Sequence, residues 1–172
     1  MLTYPAYTTF IHALLVAGHF NLNNMIQTEN IAEIELVYKP SISNKPIISS
    51  PLDAYNVFMD FYPKDTLHLQ EHFFVAYLNR FNRVLGVLHL SSGGITGTIA
   101  DIRLIFGTAL KAAASGIIIS HNHPSGQLKP SQLDKNVTTK IREAGDILDI
   151  KLMDHIIVGN EGQYLSFSDE GL

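Results

Sequence analysis

The sequence predicts an α/β fold, a mixed β-sheet of about six strands flanked by helices. Three observations carry this. Strand-like and helix-like apolar patterns alternate along the chain, so helices are available to cover the faces of one sheet. Residues 71–90 hold two strand patterns joined by a short polar turn, which is a hairpin and demands antiparallel pairing. The β-branched run Ile117-Ile118-Ile119 follows an alanine-rich helical pattern and shows no polar alternation. Such a run suits a strand buried on both faces of a parallel or mixed sheet.

At 172 residues the chain is expected to form one domain, residues 50–172, behind an N-terminal extension, residues 1–49. Residues 1–24 contain an apolar stretch, Phe10 to Gly18, without a preceding basic residue, so a signal peptide is not expected. A short amphipathic helix or a loosely attached terminus is. Residues 31–38 alternate as a strand. The proline- and serine-rich segment 39–46 is a loop. Ser50 and Pro51 mark an N-cap and first turn, opening a helix over 52–61 with Ala54, Val57, Phe58 and Phe61 on one face. Pro63 stops it. The hairpin of 71–79 and 83–90 comes next, then a glycine-rich loop, 91–97, which lacks the spacing and basic residue of a phosphate site. A helix over 101–115 carries Ile102, Ile105, Phe106, Ala109, Leu110 and Ala113 at helical spacing, and Gly116 is expected to end it. The strand of 117–120, a loop, a helix over 132–148 and strands at 150–152, 154–158 and 164–167 complete the chain.

The chain is organised around residues 121–134, which gather two histidines, two serines and an aspartate within fourteen positions. Strand side chains alternate faces, so His121 and His123 point one way and Asn122 the other. Pro124, Gly126 and Pro130 force a loop, Ser131 opens the next helix, and Asp134 lies in its first turn. His121, His123 and Asp134 therefore converge as nitrogen and oxygen ligands. Three protein ligands leave one tetrahedral position for water, the pattern of a catalytic rather than a structural Zn2+ site. Ser131-x-x-Asp134 also has the form of a capping box, a purely structural alternative. The Asp154-His155 pair is expected to serve as structure or as outer support rather than as direct ligands.

Composition bounds the chemistry. There is no cysteine, which removes disulfides, thiolate nucleophiles, Cys-ligated zinc and the zinc nucleobase deaminase signature. Net charge is −4 and no Lys/Arg cluster is visible, which argues against tight nonspecific DNA binding. No apolar run reaches membrane-spanning length, and a cytoplasmic location is expected. Two histidines with one carboxylate also describe the facial triad of non-haem Fe(II) oxygenases, but those want an all-β context.

With these residues in view, the sequence resembles the JAMM (MPN-plus) metalloprotease fold and, within it, the bacterial RadC-type proteins. His121-x-His123-Pro124, six residues and Ser131-x-x-Asp134 match the motif in full. The HNHPSG core at 121–126, the PS-x-x-D at 130–134 and the D-H-I-I-V at 154–158 match the RadC-type signature. The resemblance implies a cytidine-deaminase-like architecture and places the catalytic glutamate at Glu71. Residues alone do not separate Glu71 from Asp101 or Glu143. It further implies that Glu71 acts as general base and then acid on the metal-bound water, that Ser131 steadies the water or the oxyanion, and that the substrate is a protein or peptide amide or isopeptide. Residues 1–49 do not resemble the helix-hairpin-helix region of full-length RadC-type proteins, so nucleic acid enters as a partner by family association only. A module that binds protein or DNA with little turnover is the rival expectation.

Overall fold

The computed structural model describes residues 45–93, 100–160 and 162–172. The expectations for 1–24 and for the strand at 31–38 lie outside the described residues, as does most of the glycine-rich loop.

Helix α1, Pro51–Met59, starts with a complete capping box. The Ser50 hydroxyl accepts from the Asp53 N–H, and the Asp53 carboxylate accepts from the Ser50 N–H. The helix ends two residues before the expected point. The following turn therefore carries Phe61 outward, 51% exposed, and Tyr62 inward, 4% exposed, so Phe61 is not part of the buried face.

Strands β1, His72–Leu78, and β2, Val84–Ser92, form the hairpin. Asn79 closes the turn, its Oδ1 accepting from the Phe81 and Arg83 N–H groups. Helix α2, Ile102–Lys111, is capped by Asp101. Its end differs from expectation. Ala113 takes the left-handed conformation, φ 51°, and the Ala114 N–H closes onto the Ala109 carbonyl. The stop thus precedes Gly116, which instead opens strand β3, Gly116–Asn122. Leu110, 52% exposed, faces out, off the buried line of Ile105, Phe106 and Ala109. Helix α3, Gln132–Leu148, is followed by β4, Lys151–Val158, and β5, Tyr164–Ser166.

The five strands among the described residues lie in the order β2-β1-β3-β4-β5. The sheet is mixed, because β3 and β4 pair in parallel through the α3 crossover while the other neighbours are antiparallel. Tyr55, Phe58 and Tyr62 pack on one face against Phe74, Ala76, Ile118 and Ile156. On the other, Ile105, Phe106 and Ile141 from α2 and α3 cover Val75, Tyr77, Ile117 and Ile119. Period-two alternation assigns the strand residues to these two layers.

One irregularity matters for the site. Ile117 pairs with Leu152 but Ile118 pairs with Asp154, so Met153 is an extra residue on β4. This bulge puts Leu152 and His155 on the same face, three residues apart, beneath α3. Among the described residues, no helix is long and apolar enough to cross a membrane.

Candidate metal centre

Strand β3 delivers the first ligand by alternation. Ile117 and Ile119 sit under α2 and α3, and His121 emerges two residues later on the same face. The His123 N–H bonds the Val158 carbonyl at 3.0 Å, which keeps the chain extended and His123 on the side of His121. Asn122 faces the other way. Its side-chain amide donates to the Leu67 and Gln70 carbonyls, and its Oδ1 accepts from the His72 N–H at 2.7 Å. The loop then folds back through Gly126, φ 76°, where a Cβ would collide with the Asn160 side chain. Ser131 ends it as the N-cap of α3.

Asp134 serves two purposes. Its Oδ2 accepts from the Ser131 N–H at 2.6 Å, while the Ser131 hydroxyl accepts from the Asp134 N–H at 3.1 Å, so the capping box is complete. The same carboxylate stands 3.2 Å from His121 Nε2 and 3.6 Å from His123 Nε2, and these two nitrogens are 2.9 Å apart. Capping and ligand geometry are compatible because a carboxylate offers several lone pairs.

The proton positions follow from which partners can only accept. Thr138 Oγ1 lies 2.6 Å from the Asp134 carbonyl oxygen. A carbonyl has no proton, so the hydroxyl proton lies between them. The Thr138 oxygen therefore accepts from His155 Nδ1, 2.7 Å away. Burial drives the His155 pKa well below its ordinary value, with the charge of His121 adding to the shift. His155 is thus neutral, and its Nε2 is an acceptor. His121 Nδ1, 2.7 Å from that nitrogen, must donate, so in the neutral ring the lone pair of His121 lies on Nε2. His123 Nδ1 meets the Gln127 carbonyl and must also donate, so in its neutral form the His123 lone pair lies on Nε2 too.

With both rings neutral, two imidazole lone pairs and a carboxylate converge on one point. That arrangement calls for a cation. Tetrahedral Zn2+ with bonds near 2.0–2.1 Å sets its ligands about 3.3–3.4 Å apart, and the three separations bracket that value. The donor set fits a divalent ion. Electrostatics point the same way. The Asp134 hydrogen bond leads in raising the His123 pKa, against burial and with help from Glu71. Burial would raise the Asp134 pKa, but the His121 and His123 rings, when protonated, donate to the carboxylate and hold its pKa far below the ordinary range; a cation among these groups would take the place of those protons.

Strand register brings Glu71 here. Phe73 pairs with His121 at the last rung of the antiparallel β1–β3 ladder, and two residues beyond it on each chain Glu71 and His123 line the same cleft. Glu71 lines both lobes of the cleft, of about 490 and 540 Å3, together with His123 and Ser131. One lobe has an apolar wall of Phe73, Ala100, Ile102, Leu133 and Val137; the other runs past Leu69, Pro124, Gln127 and Lys129.

Asp154 lies away from the centre. It accepts from the His155 and Ser168 N–H groups and from the Ser166 hydroxyl, tying the chain after β5 to the bulge. Sequence reasoning missed Thr138 and the Gln127 carbonyl. Thr138 has a signal, being four residues after Asp134 on the same helix face; a backbone carbonyl has none.

A family model described as RadC-like JAB domain matches residues 48–172. The chain is 53% identical over 102 residues to a UPF0758 protein of Flavobacterium johnsoniae, which covers 59% of this chain and 44% of that protein. It is 37% identical over 142 residues to a UPF0758 protein of Porphyromonas gingivalis, covering 83% and 63%. A UPF0758 protein of Rubrobacter xylanophilus is 35% identical over 145 residues, covering 83% and 62%. The chain thus spans about half to three fifths of the length of these relatives.

Proposed function

We propose, for a chain that belongs to the RadC-like JAB domain family, that the cleft is the active site of a zinc-dependent hydrolase cleaving a peptide or isopeptide amide bond. The observation that carries this is the convergence of the Nε2 atoms of His121 and His123 and one carboxylate within 2.9–3.6 Å, beneath a cleft that a further carboxylate, Glu71, lines.

His121, His123 and Asp134 would hold the ion. When bound, zinc lowers the pKa of its water to about 7 and polarises a carbonyl. Glu71 takes the water's proton and returns it to the departing nitrogen, a base and then an acid at one carboxylate. The Ser131 oxygen already accepts from the Asp134 N–H, so its own proton is available to a developing oxyanion. Donors of that kind are worth about 10²–10³ in rate. The apolar wall from Phe73 to Val137 receives a hydrophobic side chain beside the scissile bond, and its low polarity strengthens the charge interactions.

The test is metal analysis and peptide turnover on wild-type protein and Glu71→Gln. The substitution should keep stoichiometric zinc and lose hydrolysis. Zinc held by both without turnover by either would leave a recognition pocket and overturn the hydrolase reading. Iron in place of zinc would favour the facial-triad alternative.

A further inference from the structure

We propose that Thr138 and His155 are positioning residues that lock His121 in the Nδ1–H tautomer, so that its Nε2 lone pair faces the cleft. The inference rests on the metal reading for its purpose, but its structural content stands on the hydrogen bonds alone.

The chain of bonds has one direction. The Asp134 carbonyl accepts from Thr138 Oγ1, Thr138 Oγ1 accepts from His155 Nδ1, and His155 Nε2 accepts from His121 Nδ1. With both rings neutral each group has one proton to give, so fixing the first bond fixes the rest. His121, Thr138 and His155 are all 2% exposed or less, so these contacts are shielded from bulk solvent. The start of the chain is the backbone of Asp134, itself a candidate ligand. Helix α3 therefore contributes one ligand through a side chain and orients another through its main chain.

Reversing the chain is costly at the metal. If His155 carried its proton on Nε2, it would donate to His121 Nδ1. His121 would then hold its proton on Nε2, aimed at the cation. Thr138 is what excludes this state, because its oxygen faces His155 as an acceptor. His123 is set independently by the Gln127 carbonyl, so the two ligands are oriented by unrelated devices.

The variants are Thr138→Val, Thr138→Ser, His155→Gln and His155→Leu. Valine keeps the shape and removes the acceptor; serine keeps the hydroxyl. Glutamine spaces an acceptor and a donor much as the imidazole does and preserves the direction of the chain; leucine breaks it. The first readout is the pair of His121 ring nitrogens, by 15N shifts of metal-free protein in mildly alkaline buffer. Wild type and Thr138→Ser should show Nδ1 protonated, and Thr138→Val should show both tautomers. The second is zinc affinity by chelator competition. Thr138→Val and His155→Leu should bind about 10- to 100-fold more weakly, with Thr138→Ser and His155→Gln close to wild type. A purely structural role would lower thermal stability without changing the tautomer. Folded Thr138→Val with His121 still wholly Nδ1–H and full zinc affinity would overturn the proposal. Wild-type protein that takes no zinc would instead sink the metal centre, since the nitrogen shifts judge the tautomer lock without metal.

Discussion

Asp134 caps α3 and belongs to the candidate ligand set, and two substitutions separate these tasks. Ser131→Ala removes the acceptor for the Asp134 N–H; Asp134→Ala removes the acceptor for the Ser131 N–H. Each breaks one bond of the reciprocal pair, at about 1 kcal/mol. Asp134→Ala also removes a negative charge from the first turn, adding about 0.5 kcal/mol. In metal-free protein the two variants should therefore melt within a few degrees of each other, about 3–6 °C below wild type. Zinc separates them. At free zinc a thousand times the wild-type Kd, binding stabilises the fold by about 4.1 kcal/mol. Loss of a direct donor should raise Kd more than the roughly 100-fold seen for losing a supporting partner. The same zinc concentration then reaches at most ten times Kd and gives no more than about 1.4 kcal/mol. The zinc-induced rise in Tm should thus shrink by about two thirds in Asp134→Ala and stay nearly whole in Ser131→Ala. Thermal melts with and without zinc, in alkaline buffer, measure it. An undiminished rise in Asp134→Ala would refute the ligand assignment. An equal loss in both variants would show that helix capping, not the carboxylate, governs the site.

Zinc affinity should fall on acidification, beginning above the ordinary histidine value of 6.5, because the His123 pKa is raised; below that raised pKa the loss approaches about tenfold per pH unit, and chelator competition across pH reads it. Asp134 stays ionised throughout that window, its pKa being lowered, so a second step at ordinary carboxylate pH would contradict its hydrogen bonding. Fold stability should behave differently with respect to His155, whose folded pKa is depressed. Its contribution is fully present above the unfolded value of about 6.5 and is lost as pH falls, at about 1.4 kcal/mol per unit until the folded pKa is reached. Urea melts should show a shallower acid slope in His155→Gln. Gly126→Ala should destabilise by about 1–2 kcal/mol from its left-handed backbone alone, and more from the collision with Asn160. It should weaken zinc binding too, since the displaced loop carries the Gln127 carbonyl that orients His123.

The convergence of His121, His123 and Asp134 was legible because alternation and helix capping are local rules. Two residues on one strand share a face whatever the sheet does, and Ser131-x-x-Asp134 fixes the carboxylate at a helix start. The ends of α1 and α2 were less legible. Phe61 and Gly116 were expected to continue a face and to stop a helix, yet each helix ended earlier, through Asp60 and through Ala113. A single left-handed alanine decides the second case, and alanine carries no such signal in sequence. His155 was seen only as a candidate for support, because its face depends on the bulge at Met153. Without that extra residue, Leu152 and His155 would point to opposite faces and His155 would never meet His121.

Glu71 illustrates the limit of local reading most sharply, and topology resolves it. Fifty residues separate it from His121, and nothing nearby marks it out. Antiparallel pairing of β1 with β3 makes the start of one strand the neighbour of the end of the other, so a residue just before β1 must stand at the end of β3 where the histidines lie. Parallel pairing of β3 with β4 sends both chains toward that same end, and the α3 crossover returns to the sheet only after passing over it. The histidines at the end of β3, the carboxylate at the start of α3 and Glu71 ahead of β1 are thus brought to one end of the sheet by strand direction, and the bulge in β4 turns His155 toward them. A sheet with β1 running the other way could keep every motif and would still hold Glu71 a full strand length from the metal.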